Sequence, residues 1–125
     1  MTTETLPETD DVVIELTSVP AYGSYLHLKG RIKHVDPTQA RIAAYIRVHG
    51  GWWNKPYWDA PATTVAADGI FSVDITTGGN DEQASEIAVF LVPSEYYPPS
   101  VRGDGELPTE LHEKALAQVT VSRSP

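Results

Sequence analysis

Residues 41–48, Arg-Ile-Ala-Ala-Tyr-Ile-Arg-Val, and residues 86–92, Glu-Ile-Ala-Val-Phe-Leu-Val, decide the fold of this chain. The first segment alternates, so that Ile42, Ala44, Ile46 and Val48 would lie on one face and Arg41, Ala43, Tyr45 and Arg47 on the other. A period of two predicts a strand with one buried and one solvated face. The second segment is apolar at both parities, which predicts a central strand covered on both sides.

The same alternation recurs on either side of these two segments. It predicts strands at 12–17, 25–33, 70–75 and 117–122, with a weaker strand at 62–66. Turn residues separate the strands, as in Asp36-Pro37, Asp68-Gly69 and Gly78-Gly79-Asn80-Asp81. About seven short strands predict an all-β fold, an immunoglobulin-like antiparallel β-sandwich. Antibody-type domains add a Cys…Trp…Cys pattern that this chain lacks, so the prediction concerns architecture only.

One short helix is predicted before the last strand, within Leu107–Ala117. Thr109 is the expected N-cap, and Glu110 would lie in the first turn, where a carboxylate favours the positive end of the helix dipole. Leu107, Leu111 and Ala115 would face the rest of the domain.

The 125 residues suit one domain, which we place at 11–125 after a flexible acidic arm or linker at 1–10. Cysteine is absent, so neither disulfides nor thiolate chemistry can contribute. Met1–Asp11 has no charged start followed by an apolar run, and the apolar stretches are too short to span a membrane. These features predict no membrane partner. They leave open an intracellular protein or a piece of a longer secreted chain.

The formal net charge of −8 is unevenly distributed along the sequence. The window 27–58 is +5, because Asp36 is its one acid, and the remainder is therefore −13. The basic residues of this window are Lys29, Arg31, Lys33, Arg41, Arg47 and Lys55. They could form one positive surface that attracts anions. Alternatively, they keep the solvent faces of strands soluble and discourage edge pairing.

All three tryptophans lie in the segment Gly50-Gly51-Trp52-Trp53-Asn54-Lys55-Pro56-Tyr57-Trp58, beside glycines and prolines rather than in a predicted strand. Aromatic rings in loops on a rigid scaffold suit carbohydrate binding, because the C–H face of a pyranose packs on a ring. Large rings also anchor small cores, so the sequence leaves platform and core packing both open. Strand alternation would direct one ring of Trp52-Trp53 inward and the other outward. Tyr96-Tyr97-Pro98-Pro99 is a second aromatic loop whose position relative to the first the sequence leaves open.

If the cluster binds a ligand, Trp52, Trp53, Tyr57 and Trp58 are the candidate stacking residues. Asn54, Lys55 and Arg47 are the candidate polar contacts. The ligand would be a neutral or acidic polysaccharide. A protein partner, including a second copy of the chain, is the alternative, because exposed aromatics also serve as interface hot spots. Nucleic acid is not expected, since the acidic remainder of the chain would repel the phosphate backbone.

Several segments resemble bacterial immunoglobulin-like β-sandwich accessory modules, which are attached to secreted proteins that act on or assemble polysaccharide. The similar segments span roughly residues 12–122, and most of their positions are turns and core residues. They are Tyr45-Ile46-Arg47-Val48, Trp52-Trp53-Asn54-Lys55-Pro56, Asp68-Gly69-Ile70-Phe71, Thr76-Thr77-Gly78-Gly79-Asn80-Asp81 and Phe90-Leu91-Val92-Pro93. The resemblance implies an appended domain with sugar contact at Trp52–Trp58, and it carries over no catalytic residue.

Catalytic and metal motifs are not recognisable in the sequence. A serine nucleophile elbow, a phosphate-binding glycine loop and a metal-type histidine spacing are all missing, so we predict neither an enzyme nor a cofactor. Asp59 and Asp74 flank the aromatic region, but a small sandwich seldom offers the deep cleft that glycoside hydrolysis requires. The acidic loops 79–82 and 104–106 match no dedicated calcium loop. Arg102-Gly103-Asp104 spells an integrin-recognition tripeptide, which we attribute to chance.

Overall fold

The computed structural model describes residues 11–125; the predicted acidic arm at 1–10 lies outside them. The strands are β1 (Val13–Ser18), β2 (Leu28–Lys33), β3 (Ala40–Val48), β4 (Gly51–Lys55), β5 (Thr63–Thr64), β6 (Ile70–Val73), β7 (Glu86–Pro93), β8 (Arg102–Asp104) and β9 (Ala117–Ser122). One sheet joins three antiparallel strands in the order β1-β2-β6, and the other has the order β8-β4-β3-β7-β9, with β5 also pairing to β3. Two 3-10 turns lie at Pro37–Gln39 and Asp81–Gln83.

The predicted all-β sandwich is confirmed, because the two sheets pack face to face over a shared apolar core. The small sheet contributes side chains such as Leu28 and Phe71, and the large sheet contributes Ile42, Ile46 and Val89. All the strands predicted from alternation are present. The described residues contain two strands more than the seven expected, since β4 and β8 were not predicted.

β4 corrects the prediction that the aromatic segment is a loop. Val48 pairs with Gly51, so a two-residue turn of His49 and Gly50 joins β3 to β4. Both turn residues have positive φ, 51° and 85°, as a type I′ hairpin turn requires. β4 ends at Lys55. Of the four aromatic residues in this segment, Trp52 and Trp53 lie in the strand, and Tyr57 and Trp58 lie in the turn that follows it.

The outer face of β3 is buried, which corrects the prediction that this strand has a solvated face. Ala43 and Tyr45 lie in a second core with Phe90 and Leu111. The covering layer is the helix α1 (Thr109–Lys114) together with the segment around residues 96–101. The Tyr45 ring meets Phe90 edge-to-face at 5.9 Å between centroids. The alternation within β3 did not predict this burial, because the residues that cover its outer face lie far along the chain, at 96–101 and in α1.

The helix is shorter than the predicted Leu107–Ala117 and begins differently. Pro108 occupies the N-cap, and Thr109 is the first helical residue, so the prediction of a Thr109 cap is wrong. The helix ends at Lys114 because Ala115 turns to extended backbone. Leu111 is fully buried, and Leu107 and Ala115 pack on the second core, as predicted. No helix within residues 11–125 has the length and apolarity needed to cross a membrane.

The basic residues of the 27–58 window do not form one positive surface. Lys29, Arg31 and Lys33 alternate with buried residues of β2 and lie on the outer face of the small sheet. Arg41 and Arg47 lie on the outer face of the large sheet, which is the opposite side of the sandwich. Glu15 pairs with both Arg31 and Lys33, at 3.2 and 3.4 Å. The solvated-strand interpretation therefore fits Lys29, Arg31 and Lys33, whereas Arg41 and Arg47 are half-buried and Lys55 is buried.

Arg123 follows β9 directly and connects the end of this last strand by hydrogen bonds to two other parts of the chain. Its buried guanidinium donates hydrogen bonds to the carbonyls of Pro20, Ala21 and Ala84 at 2.9–3.0 Å. Desolvation lowers the pKa of Arg123 from its ordinary value. Arginine suits this position, because one planar group can donate to several carbonyls at once.

Candidate ligand-binding site

Trp52 and Trp53 point to opposite faces of β4, as alternation predicts. Trp52 lies opposite Arg47, is 8% exposed and belongs to the second core. Trp53 is 38% exposed, and in the following turn Tyr57 and Trp58 are 56% and 51% exposed. Three of the four predicted stacking residues are therefore accessible, and Trp52 is a core residue.

Asn54 holds the turn that carries Tyr57 and Trp58. Its side-chain amide donates to the Tyr57 carbonyl at 2.8 Å, and its side-chain oxygen accepts from the Val101 backbone N–H at 3.0 Å. Asn54 is only 4% exposed. Both ends of the amide are engaged inside the protein, so Asn54 positions the aromatic turn rather than reaching a ligand.

The loop that contains residues 96–101 also contacts this turn. Ser100 Oγ donates to the Trp58 carbonyl at 2.7 Å, and Tyr45 Oη donates to the Pro99 carbonyl at 2.7 Å. The second aromatic loop, Tyr96-Tyr97-Pro98-Pro99, thus lies beside the first. Because Tyr45 belongs to the central strand β3, the aromatic turn is connected to the centre of the large sheet.

Lys55 forms an internal ion pair with Asp81 of the second 3-10 turn. Its ammonium contacts Asp81 Oδ2 and donates to Thr77 Oγ1 at 3.1 Å, and the Gly78 N–H donates to the same carboxylate oxygen at 3.0 Å. The two ionic side chains are 10% and 11% exposed. The ion pair therefore gives Lys55 a structural role, because it attaches the 76–81 loop to β4, and the ligand contact of Lys55 stays a prediction.

Arg47 lies apart from the accessible rings. Its position opposite Trp52 places it on the outer face of the large sheet, whereas Trp53 is on the other face. There Arg47 pairs with Glu86 at 3.3 Å. The structure does not bring Arg47 together with Trp53, Tyr57 and Trp58.

Two clefts meet at Trp53. The smaller, about 250 Å³, is bordered by Trp53, Tyr57 and Trp58. The larger, about 590 Å³, lies between the β3–β4 turn and the loop containing Gly78, with Trp53 again in its wall. Trp53, Lys55 and Gly78 line both. We call Trp53, Tyr57 and Trp58 with these two clefts the aromatic groove.

Arg102 is a residue of this groove that the sequence analysis did not assign to it. It lies on β8, pairs across the ladder with Trp53, and its guanidinium carbon is 4.4 Å from the centroid of the Trp58 ring. That distance is within the range of a cation–π contact. The sequence did not indicate that Arg102 belongs to the groove. β8 is three residues long, which is too short to show alternation, and a glycine such as Gly103 is typical of a turn.

The residues that could support metal binding or catalysis do not assemble around the groove. No cluster of three or more metal-ligating side chains occurs in the part of the chain that the structure describes. Asp74 lies instead near His27 Nε2, at 3.7 Å, with Ser72 Oγ 3.1 Å from His27 Nδ1. His27 and Asp74 have half-exposed side chains, 49% and 38%, on the outer face of the small sheet. A nucleophilic triad acts in a water-excluded site with oxyanion donors, so we assign these contacts to a solvated surface.

Comparisons with protein-family models, with curated proteins and with solved structures gave no match to this chain, so the resemblance to bacterial accessory modules stays a prediction.

Proposed function

We propose that this protein is a non-catalytic carbohydrate-binding module, of the immunoglobulin-like accessory type, whose ligand lies along the aromatic groove. The observation that carries the proposal is the exposure of Trp53, Tyr57 and Trp58 around one cleft, where a hydrogen bond from Asn54 holds the turn that carries Tyr57 and Trp58. Monomeric proteins rarely expose several large rings together without a ligand or partner.

The rigidity of the turn supports this proposal over accidental exposure. The side chains of Asn54, Ser100 and Tyr45 hold the backbone of the two aromatic loops with hydrogen bonds. A binding site whose loops are already ordered loses less conformational entropy when the ligand binds. Preformed rings of this kind suit a flat, semi-rigid ligand such as a pyranose chain.

The test is titration with a panel of neutral and acidic polysaccharides, followed by tryptophan fluorescence and calorimetry. We expect saturable binding, and Trp53→Ala or Trp58→Ala should each weaken it on the order of tenfold, or about 1.4 kcal/mol. Tyr25→Ala is the matched control: Tyr25 is also exposed, but it lies by the small sheet. A folded protein that binds no glycan, or an equal loss in all three variants, would contradict the proposal.

A protein-interaction domain is the second candidate, and the exposure of Tyr97 beside the same turn favours it. Light scattering across a concentration series distinguishes the two for self-association. A concentration-dependent mass that Trp58→Ala abolishes would favour a homo-oligomer, whereas a constant monomer mass with glycan binding would favour the carbohydrate module.

A further inference from the structure

The cations of the described chain differ in whether the fold already uses their charge. Glu15 forms ion pairs with Arg31 and Lys33, Glu86 forms one with Arg47, and Asp81 forms one with Lys55. Arg123 donates its N–H groups to backbone carbonyls, and Arg41 donates one to the Tyr96 carbonyl at 2.9 Å. These side chains are occupied as parts of the structure.

Lys29, Lys114 and Arg102 have no carboxylate partner among residues 11–125, and of these three Arg102 is the one that borders the aromatic groove. It is exposed, and among residues 11–125 its guanidinium has no carboxylate oxygen within 4.0 Å. It sits between the two accessible tryptophans, opposite Trp53 on the β4–β8 ladder and over the ring of Trp58. The Trp58 ring restrains the guanidinium without neutralising it.

The charge of the groove contrasts with that of the whole protein. Asp81 lines the larger cleft, but Lys55 and the Gly78 N–H occupy the carboxylate oxygen that faces them. Lys55 also lines the smaller cleft, but its charge is balanced by Asp81. Among residues 11–125, no carboxylate balances the charge of Arg102 in the wall of the same cleft. A chain of net charge −8 thus presents an arginine beside three accessible aromatic rings, Trp53, Tyr57 and Trp58.

A guanidinium restrained in this way is suited to an anionic substituent on the ligand. Its planar fork of N–H donors matches a carboxylate or sulfate with two parallel hydrogen bonds, which a lysine cannot reproduce. The neighbouring rings would pack on the sugar that carries the anion. At an ionic strength of about 0.15 M the Debye length is roughly 8 Å, so the distant acidic residues repel the ligand weakly and a direct contact survives.

We propose that Arg102 recognises the anionic group of an acidic polysaccharide, so that the aromatic groove prefers a polyanionic glycan to a neutral one. This inference rests on the proposed carbohydrate-binding function and specifies its ligand class. The ring contacts provide affinity for the chain, and Arg102 provides the preference for charge.

Matched pairs of polymers test the proposal at 0.15 M salt: polygalacturonate against its fully methyl-esterified form, and dextran sulfate against dextran. We expect the acidic member of at least one pair to bind about 10- to 100-fold tighter, since hydrogen bonds to charged groups are the strong ones. The pair that shows the preference tells whether the anion is a carboxylate or a sulfate.

Arg102→Gln should remove this preference, because it weakens binding of the acidic polymer much more than binding of the neutral one, and Arg102→Lys should restore the preference only in part. The neutral partner controls for any loosening of Trp58. Lys29→Gln, which removes an exposed cation from the small sheet, should have no effect. Equal binding of acidic and neutral polymers, or a preference that survives in Arg102→Gln, would overturn the role of Arg102 and leave the carbohydrate function standing. Absence of binding to every polymer would overturn both.

Discussion

At the scale of single residues, neighbours in the aromatic segment have opposite roles. Trp53 is accessible, whereas Trp52 and Asn54 on either side of it are buried. Asn54 and Lys55 have the chemistry of sugar contacts, but their polar atoms are used inside the protein. Residue type alone does not separate a ligand contact from a residue that supports one, because both need hydrogen-bonding groups near the rings.

Replacement of Asn54 tests this supporting role. Asn54→Ala leaves the Val101 N–H and the Tyr57 carbonyl without their side-chain partner, and we expect the free energy of unfolding to fall by about 1–3 kcal/mol. Urea unfolding followed by fluorescence measures the change. Asn80→Ala is the control, since Asn80 is exposed and should cost no more than about 0.5 kcal/mol. Equal stability of the two variants would contradict the assignment.

At the scale of elements, the groove depends on how closely β8 approaches β4. A Cβ added to Gly51 would lie 2.7 Å from the Gly103 carbonyl oxygen and 2.8 Å from its Cα. Gly103 itself has a φ of 77°, a conformation that favours glycine, and a Cβ there would meet the Trp53 ring at 3.3 Å. Two glycines thus allow the short strand that carries Arg102 to lie directly against Trp53.

Gly51→Ala should therefore displace β8 and disturb the groove. We expect a loss of about 1–3 kcal/mol in unfolding free energy, as for other overpacked sites, together with weaker glycan binding. Denaturant unfolding and calorimetry check the two effects. Gly105→Ala is the matched control, because a Cβ at Gly105 meets nothing within 4 Å and Gly105 lines neither cleft of the groove. Unchanged stability and binding in Gly51→Ala would show that the close approach is not required.

At the scale of the whole molecule, the large sheet is the central layer of the fold. The small sheet covers one of its faces, and α1 with the 96–101 segment covers the other. Tyr45 is at the centre of this second contact, fully buried with its hydroxyl on the Pro99 carbonyl. Burial, with smaller effects of Tyr96 and Glu110, raises the pKa of Tyr45 above its ordinary value of 10.0.

This buried phenol makes the stability of the whole protein sensitive to alkaline pH. Tyr45 has a higher pKa in the folded than in the unfolded state, so its stabilising effect is complete below pH 10 and decreases as the pH rises above it. In a series of melting temperatures measured from pH 8 to pH 11.5, the decline should therefore begin near pH 10. Tyr45→Phe should be less stable at pH 8, because the Pro99 carbonyl loses its donor, but should decline less steeply. Tyr25→Phe, at an exposed position, should keep the steep decline, and an equally steep decline in Tyr45→Phe would refute the assignment.

Local sequence patterns predicted most of the strands. They also predicted the aromatic residues of the groove, Trp53, Tyr57 and Trp58, but not Arg102. Alternation indicated the strands, and the unbroken apolar run at 86–92 indicated a strand buried on both faces, which β7 is. Alternation also predicted that Trp52 and Trp53 point in opposite directions. The His49-Gly50 turn was not recognised, because His is an unusual residue at positive φ and the usual Asn-Gly signal is missing.

The sequence by itself determined the β architecture and the opposite directions of Trp52 and Trp53, because both follow from the side-chain period of a strand. It left open whether the aromatic rings at 53–58 form an accessible platform. Only the tertiary structure decided that the outer face of β3 is buried, since the covering helix lies far along the chain. It also decided that Arg102 stands beside Trp53 and Trp58 while Arg47 does not. Such placements depend on which strands become neighbours, and strand pairing is a property of the whole packed sheet rather than of any single segment.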